Sequence, residues 1–395
     1  MHNVIMSLME NDVIIIGAGY AGSVAARQFA QANKKVLLIE KRNHIGGNAY
    51  DYLDENGVMR HQYGPHIFHT NHSEVYEYLS RFTDWHPYRH SVLGLVQDKL
   101  VPIPFNLRSI EMCFDNDEAR HIIDVLTNKY AIGCKVTILE LQEDEDPTIK
   151  KLADFIFENV FKYYTMKQWN LNVEQLDPKV ISRVPVSITY DNYYFTNTYQ
   201  AIPLNGYTKM FEKILDHKNI KVLLNTDCKE HLKIKDKKIY FDNEEYKGIV
   251  VYTGILDELF DYSLGALSYR SLDFEYKTVE GDYQDSATVN YPTPKQRHPF
   301  TRISEYKKFM ANPPIDKSTI AIEYPYDYDP KAIKGNIPYY PVFTDESKNK
   351  YNEYLKLLNE IDNLYALGRL AEYKYYDMDA ITLRAMEFVK EIING

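Results

Sequence analysis

Val13-Ile14-Ile15-Ile16-Gly17-Ala18-Gly19-Tyr20-Ala21-Gly22 is a short apolar, β-branched run that ends in a G-x-G-x-x-G. Such a run makes a buried parallel strand. The residues after it, Ser23 to Ala30, read as helix. Glycines in that turn allow a tight bend, close approach of backbone to a diphosphate, and close packing of helix on strand. The helix start adds unpaired N–H groups and the positive end of a dipole. A second strand, Lys35 to Ile39, ends at Glu40, eighteen residues past Gly22. A carboxylate there accepts ribose hydroxyls and repels a 2′-phosphate. Strand, glycine turn, helix, strand and acid together predict dinucleotide binding through Gly17, Gly19, Gly22 and Glu40.

Lys41-Arg42-Asn43-His44-Ile45-Gly46-Gly47-Asn48 follows. A glycine pair six and seven residues past the acid is the arrangement of amine-oxidase-type flavoproteins. Two residues without side chains let the backbone lie against a pyrophosphate, so FAD is favoured over NAD.

At 395 residues the chain exceeds one core, and two or three subdomains are expected. A net charge of −10 argues against nucleic acid or an anionic membrane as main partner. Cys113, Cys134 and Cys228 have no metal-ligand or redox spacing and suit a reducing cytosol. Met1 to Asn11 has neither Lys nor Arg, and no window is apolar enough to span a bilayer, so a cytoplasmic protein is expected. Tyrosine is over-represented, 35 against 17 phenylalanines. Tyrosines stack and hydrogen-bond at once, which hints at a polar organic ligand. His66 and His69 lack carboxylate or thiol neighbours at ligand spacing, so no metal is expected.

The predicted fold is α/β. A Rossmann-like FAD unit from residues 12–88, 207–268 and 346–395 carries an inserted helical domain at 106–180. An antiparallel sheet domain is expected from 89–105, 184–206 and 269–345. In the helical part, Ile122, Ile123, Leu126 and Tyr130 form one apolar stripe, and Leu152, Phe155, Ile156, Val160 and Phe161 another. Trp169 sits with Tyr164 and Thr165 at the end of the helical segment, and the polar stretch that leads on through Asp177-Pro178 to Val186 reads as an exposed substrate loop carrying Arg183. The alternative is a linker in which Trp169 and Arg183 are incidental.

Several motifs then occur in order: Ile45-Gly46-Gly47-Asn48, Tyr63 to Thr70, Tyr164-Thr165-x-Lys167-Gln168-Trp169, Tyr269 to Leu272, Thr301-Arg302-Ile303, Ile337 to Pro341, and Gly368-Arg369-Leu370 with Tyr375 to Asp379. With these the chain resembles the UDP-galactopyranose mutase family over all but its first eleven residues. The resemblance implies a reduced flavin that bonds through N5 to the sugar's anomeric carbon while UDP leaves and returns, without net redox change. By the same match Arg183 and Arg302 meet the diphosphate, and arginine suits it through its planar, permanently charged fork. Tyr164, Thr165, Trp169, Tyr194 and Phe195 would hold uridine and diphosphate, with Tyr340 and Tyr375 also on the diphosphate. His66 would lie by the flavin's reacting edge, and Lys41, Asn48, Arg369 and Met378 would join the cofactor site. Asp377 carries over as a pocket residue. The family implies a homodimer, an external reductant such as NAD(P)H, and a product used in cell-surface galactofuranose glycans. The sequence departs from the family at Ile255, Ser268 and Tyr306, which are expected to affect local loop shape. A mutase acting on UDP-N-acetylgalactosamine, a flavin oxidase and a catalytically dead nucleotide-binding protein stay open as alternatives.

Overall fold

A computed structural model describes residues 10–170 and 185–394 of the chain. Its central sheet has five parallel strands in the order Ile220–Leu223, Val36–Ile39, Val13–Ile16, Ile249–Tyr252, Leu364–Ala366. Val13–Ile16 and Val36–Ile39 are buried at every position, which is why they are apolar throughout rather than alternating. The helices Tyr20–Gln31 and Met378–Asn394 pack on one face, where Phe29 meets Phe388 edge to face at 6.5 Å. The strand order reverses next to Val13–Ile16, and ligands of open α/β sheets bind beyond the carboxyl ends of strands at such a point.

A second sheet has seven strands, ordered Tyr340–Pro341, Tyr269–Glu280, Lys317–Asp327, Arg302–Glu305, Thr288–Asn290, Val92–Val96, Lys99–Ile103. Its pairs are antiparallel except for Thr288–Asn290 on Val92–Val96. The strand Tyr199–Pro203, expected in this sheet, instead pairs with Phe68–Thr70 and Trp85–Pro87 in a separate three-stranded sheet. Its partners are over a hundred residues away, beyond the reach of a local pattern.

The helical part caps one end of the large sheet. Asp146 accepts from the N–H groups of Thr148 and Ile149 and starts the helix Pro147–Ile156, so the acidic run before Pro147 serves as a helix cap. One π turn, Phe157–Phe161, joins this helix to Lys162–Trp169. A π turn shifts the register of the buried face. From the end of that turn, Val160, Tyr164 and Gln168 follow one another at i, i+4 and i+8, as do Phe161, Thr165 and Trp169 in the next row. Among the described residues no helix is long and apolar enough to cross a membrane, and no three His, Cys, Asp or Glu side chains gather as a metal site would need.

Candidate functional site

Two cavities meet beyond the carboxyl ends of the parallel strands. The first, about 260 Å³, is lined by Gly17, Gly19, Glu40, Lys41, Gly46, Gly47 and Asn48. Gly17 has φ +104°, and a Cβ there would fall 2.0 Å from Thr253 Oγ1. Gly46 donates its N–H to Ala18 O at 2.8 Å, so the second glycine loop lies against the first. A Cβ on Gly47 would stand 2.8 Å from Gly19 Cα. Gly22 does not line the cavity; a Cβ there would strike Gly17 O at 1.9 Å, so its absence lets helix pack on turn. No side chain caps the helix that begins at Tyr20, which leaves its first amides for a ligand. Glu40 is buried and fixed by two amides, from Ala18 at 2.8 Å and Arg42 at 2.9 Å.

This cradle fits a flavin dinucleotide on two independent observations. Gly17 and Gly47 shape it, and each stands at positive φ where a Cβ would clash. It also contains buried polar atoms without a protein partner, Tyr20 Oη and Arg42 Nη1. Sequence reasoning passed over Arg42, whose guanidinium binds Asn48 Oδ1 at 2.9 Å and lies 4.5 Å from the Tyr63 ring. Ile255, one of the departures from the family pattern, also lines this cavity.

The second cavity, about 560 Å³, takes in Tyr164, Thr165, Trp169, Tyr194, Phe195, Arg302, Tyr340, Tyr375 and Asp377. His66, Tyr339, Arg369 and Met378 line both cavities and form their junction. Every site residue expected from the sequence therefore lines one cavity or both, except Gly22, which packs beneath the first, and Arg183. Arg183 falls outside the described residues.

Arg302 begins its strand with its side chain 29% exposed and its Nε 2.7 Å from Glu323 Oε2. Glu323 is buried and also accepts from Thr301 Oγ1 at 2.8 Å. Burial works against the Arg302 charge, but the adjacent carboxylate outweighs it and pushes the pKa up. Arg302 thus stays a cation, aimed and partly neutralised by Glu323. Burial also raises the Tyr164 and Tyr340 phenols, so both remain neutral hydrogen-bonding groups. Gln168 donates to Tyr340 Oη.

Burial lowers His66 to about 3, so its ring is neutral. Its Nδ1 lies 2.8 Å from Gly64 O, and a carbonyl can only accept. The proton is therefore on Nδ1, and Nε2 is left as an acceptor. His90, which lines the second cavity, is held neutral by burial as well, at about 3. His69 stacks on Phe195 at 3.7 Å and meets Asn197 Oδ1 at 3.1 Å. Arg369 ties Tyr376 O at 3.0 Å through Nε and lies 4.8 Å from the Tyr375 ring.

Glu323 and Lys167 are the main participants that sequence reasoning left without a role. Glu323 follows Ile320-Ala321-Ile322 in an otherwise apolar stretch. A carboxylate in so buried a strand needs a cation, and that was the available signal. Lys167 stood inside a quoted motif. It is buried, and burial pushes its ammonium down to about 8, which leaves it charged at neutral pH.

The UDP-galactopyranose mutase family profile matches residues 159–375, and an NAD(P)-binding Rossmann-like profile matches residues 15–82. UDP-galactopyranose mutase of Mycoplasma genitalium is 36% identical over 389 residues, covering 97% of this chain and 95% of the relative. The dTDP-fucopyranose mutase of Escherichia coli is 33% identical, covering 95% of this chain and 97% of that one. Among solved structures, reduced UDP-galactopyranose mutase superposes with a TM-score of 0.73 at 16% identity, covering 97% of this chain and 94% of the other. That likeness bears on the fold, and the sequence matches carry the kinship. A chain that shares about a third of its residues with such enzymes along almost its whole length belongs to the UDP-galactopyranose mutase family.

Proposed function

We propose that the protein interconverts UDP-galactopyranose and UDP-galactofuranose, with FAD in the first cavity held in its reduced form. The observation that carries this reading is the junction at His66, Tyr339, Arg369 and Met378, which opens a dinucleotide cradle directly onto a cavity walled by tyrosines around a paired arginine. Reduced flavin, when bound, supplies an electron-rich nitrogen that can act as a nucleophile toward the sugar's anomeric carbon without net oxidation.

The chain's own residues supply binding, orientation and charge. Gly17, Gly19, Gly46 and Gly47 admit the pyrophosphate against the backbone, Glu40 and Lys41 meet the adenosine end, and Asn48, Arg369 and Met378 hold the flavin side. Tyr164, Thr165, Trp169, Tyr194 and Phe195 take the uridine and diphosphate, joined by Tyr340 and Tyr375. Arg302, with Arg183, stabilises the charge that grows on the departing diphosphate. Neutral His66 offers an acceptor, not a positive charge, at the junction. Asp377 stands on the pocket wall. The protein works in the cytoplasm as a homodimer, draws electrons from a donor such as NAD(P)H, and feeds cell-surface galactofuranose glycans.

The test is anaerobic turnover of UDP-galactopyranose by dithionite-reduced protein. Furanose product is expected, with no oxidised sugar and little product from the oxidised protein. Equal activity in both redox states, or oxidation of the sugar, would overturn the reading. The kinship with a dTDP-fucopyranose mutase gives a second reading, in which the preferred sugar nucleotide differs. UDP-N-acetylgalactosamine and dTDP-fucose therefore belong in the same assay.

A further inference from the structure

Lys167 has no part in the binding roles above. It lies in the helix Lys162–Trp169, between Tyr164 and Thr165 on one side and Gln168 and Trp169 on the other, and is only 7% exposed. Its ammonium donates to three main-chain carbonyls, of Tyr291 at 2.7 Å, His298 at 3.0 Å and Phe300 at 2.7 Å. An ammonium has three hydrogens, so none is left for a ligand. All three acceptors lie in the connection between the strands Thr288–Asn290 and Arg302–Glu305. One side chain thus fastens the helix with Tyr164 and Trp169 to the loop that delivers Arg302.

The helix depends on tertiary ties for its position. It is eight residues long, follows a π turn, and has no side-chain cap at its start. Isolated helices this short are not stable without tertiary contacts. Its far end has a second tie: Arg270 Nε donates to Gln168 O at 2.8 Å, and Asn170 Nδ2 to Asp327 Oδ2 at 2.6 Å. Arg270 holds the helix against the strands Tyr269–Glu280 and Lys317–Asp327, whereas the hydrogen bonds from Lys167 reach the connection leading to Arg302.

We propose that Lys167 is a positioning residue that sets the distance between the aromatic wall at Tyr164 and Trp169 and the guanidinium of Arg302. It thereby fixes affinity for the nucleoside diphosphate part of the substrate, and this inference rests on the functional reading given above. A bound diphosphate itself draws Arg302 and the helix together. Losing the clamp therefore removes binding that ground and transition states share, which raises KM and leaves kcat nearly unchanged.

Lys167→Met leaves three buried carbonyls unpaired, and Lys167→Gln restores two donors. UDP affinity by titration calorimetry, KM, kcat and flavin content are measured on wild type and both variants. Lys167→Met is expected to weaken UDP binding and raise KM roughly 10- to 100-fold, the scale of a small misplacement of binding groups. Flavin content should be unchanged, kcat should fall by less than about threefold, and Lys167→Gln should lie in between. If Lys167→Met does not fold, Lys167→Gln alone carries the test. UDP affinity equal to wild type in the folded variants, or a fall in kcat with KM unchanged, would overturn the inference alone. Wild-type protein unable to bind UDP would overturn the functional reading and this inference together.

Discussion

Replacing Arg302 separates its tie to Glu323 from the role proposed for it at the diphosphate. Its Nε and Nη2 lie 2.7 Å and 2.6 Å from Glu323 Oε2, and Glu323 has a side-chain exposure of 2%. Arg302→Met would strand that carboxylate with Thr301 as its remaining side-chain partner. Breaking a buried ion pair on one side costs about 3–5 kcal/mol, and the partial exposure of Arg302 reduces this to roughly 2–3 kcal/mol. Separately, losing one donor to a charge that develops during reaction lowers kcat/KM by about 10²–10³. The double variant Arg302→Met, Glu323→Gln removes the stranded charge but not the loss of the donor. Its thermal midpoint should return most of the way to wild type while its turnover stays as low as in the single variant. Midpoints and kcat/KM measured on flavin-loaded protein decide the matter. If the double variant regained activity, Arg302 would matter only for folding. Near-normal turnover in the single variant would refute its role at the diphosphate.

Gly17→Ala should yield protein without bound flavin, because its Cβ would meet Thr253 Oγ1 at 2.0 Å; Gly57→Ala, also at positive φ but with nothing within 4 Å, should cost only about 1 kcal/mol and stay yellow. Visible flavin absorbance per protein checks both, and a yellow Gly17→Ala would refute the cradle. His61, His66 and His90 are each lowered by burial to about 3, so below the unfolded-state pKa near 6.5 the unfolded chain binds protons that the folded chain does not. Stability should therefore drop by about 1 kcal/mol per histidine between pH 7.5 and 5.5, and a urea midpoint that did not move over that range would contradict the burial of these rings. Trp169 lines the substrate-side cavity 5.6 Å from the Tyr340 ring, and the chain has 2 tryptophans. With Trp85→Phe silencing the other, added UDP should change the emission; an unchanged spectrum at saturating UDP would count against the proposed uridine position.

What could be read from the sequence was what local geometry dictates. The run Val13–Ile16, the glycine turn, Glu40 and the Gly46-Gly47 pair fall in one stretch of chain, and most constraints on their residue types arise within it, Gly17 against the distant Thr253 being the exception. The aromatic wall was also legible, since Tyr164 and Trp169 lie on neighbouring rows of one helix, about one and a half turns apart. The partners that aim these groups come from far along the chain. Glu323 is twenty-one residues from Arg302, and Lys167 meets carbonyls more than a hundred residues away. Main-chain acceptors leave no mark on a sequence. Tyr306, read as a matter of loop shape, is fully buried, stacks on His61 at 5.3 Å and donates to His61 O at 3.0 Å. Only the folded chain shows that this residue lies beneath a histidine near the junction.

The charge in the substrate-side cavity bears on Arg183. Its described lining holds three cationic side chains, Lys135, Arg302 and Arg369, against two carboxylates, Glu323 and Asp377. His66 and His90 add no charge at neutral pH. Arg302 spends much of its field on Glu323, while a nucleoside diphosphate sugar brings two negative charges and gains more as its sugar departs. The site thus calls for one more cation, and Arg183 is the sequence's candidate. Arg183→Ala should cost about 2–4 kcal/mol in kcat/KM, comparable to losing an oxyanion donor. Arg183→Lys should recover part of that, because a point charge restores the field but not the bidentate fork. Flavin content should not change in either variant, since the first cavity has its own cations in Lys41 and Arg42. Near-normal turnover in Arg183→Ala would mean that Lys135 and Arg369 suffice to balance the diphosphate, and the case for a further cation would fall.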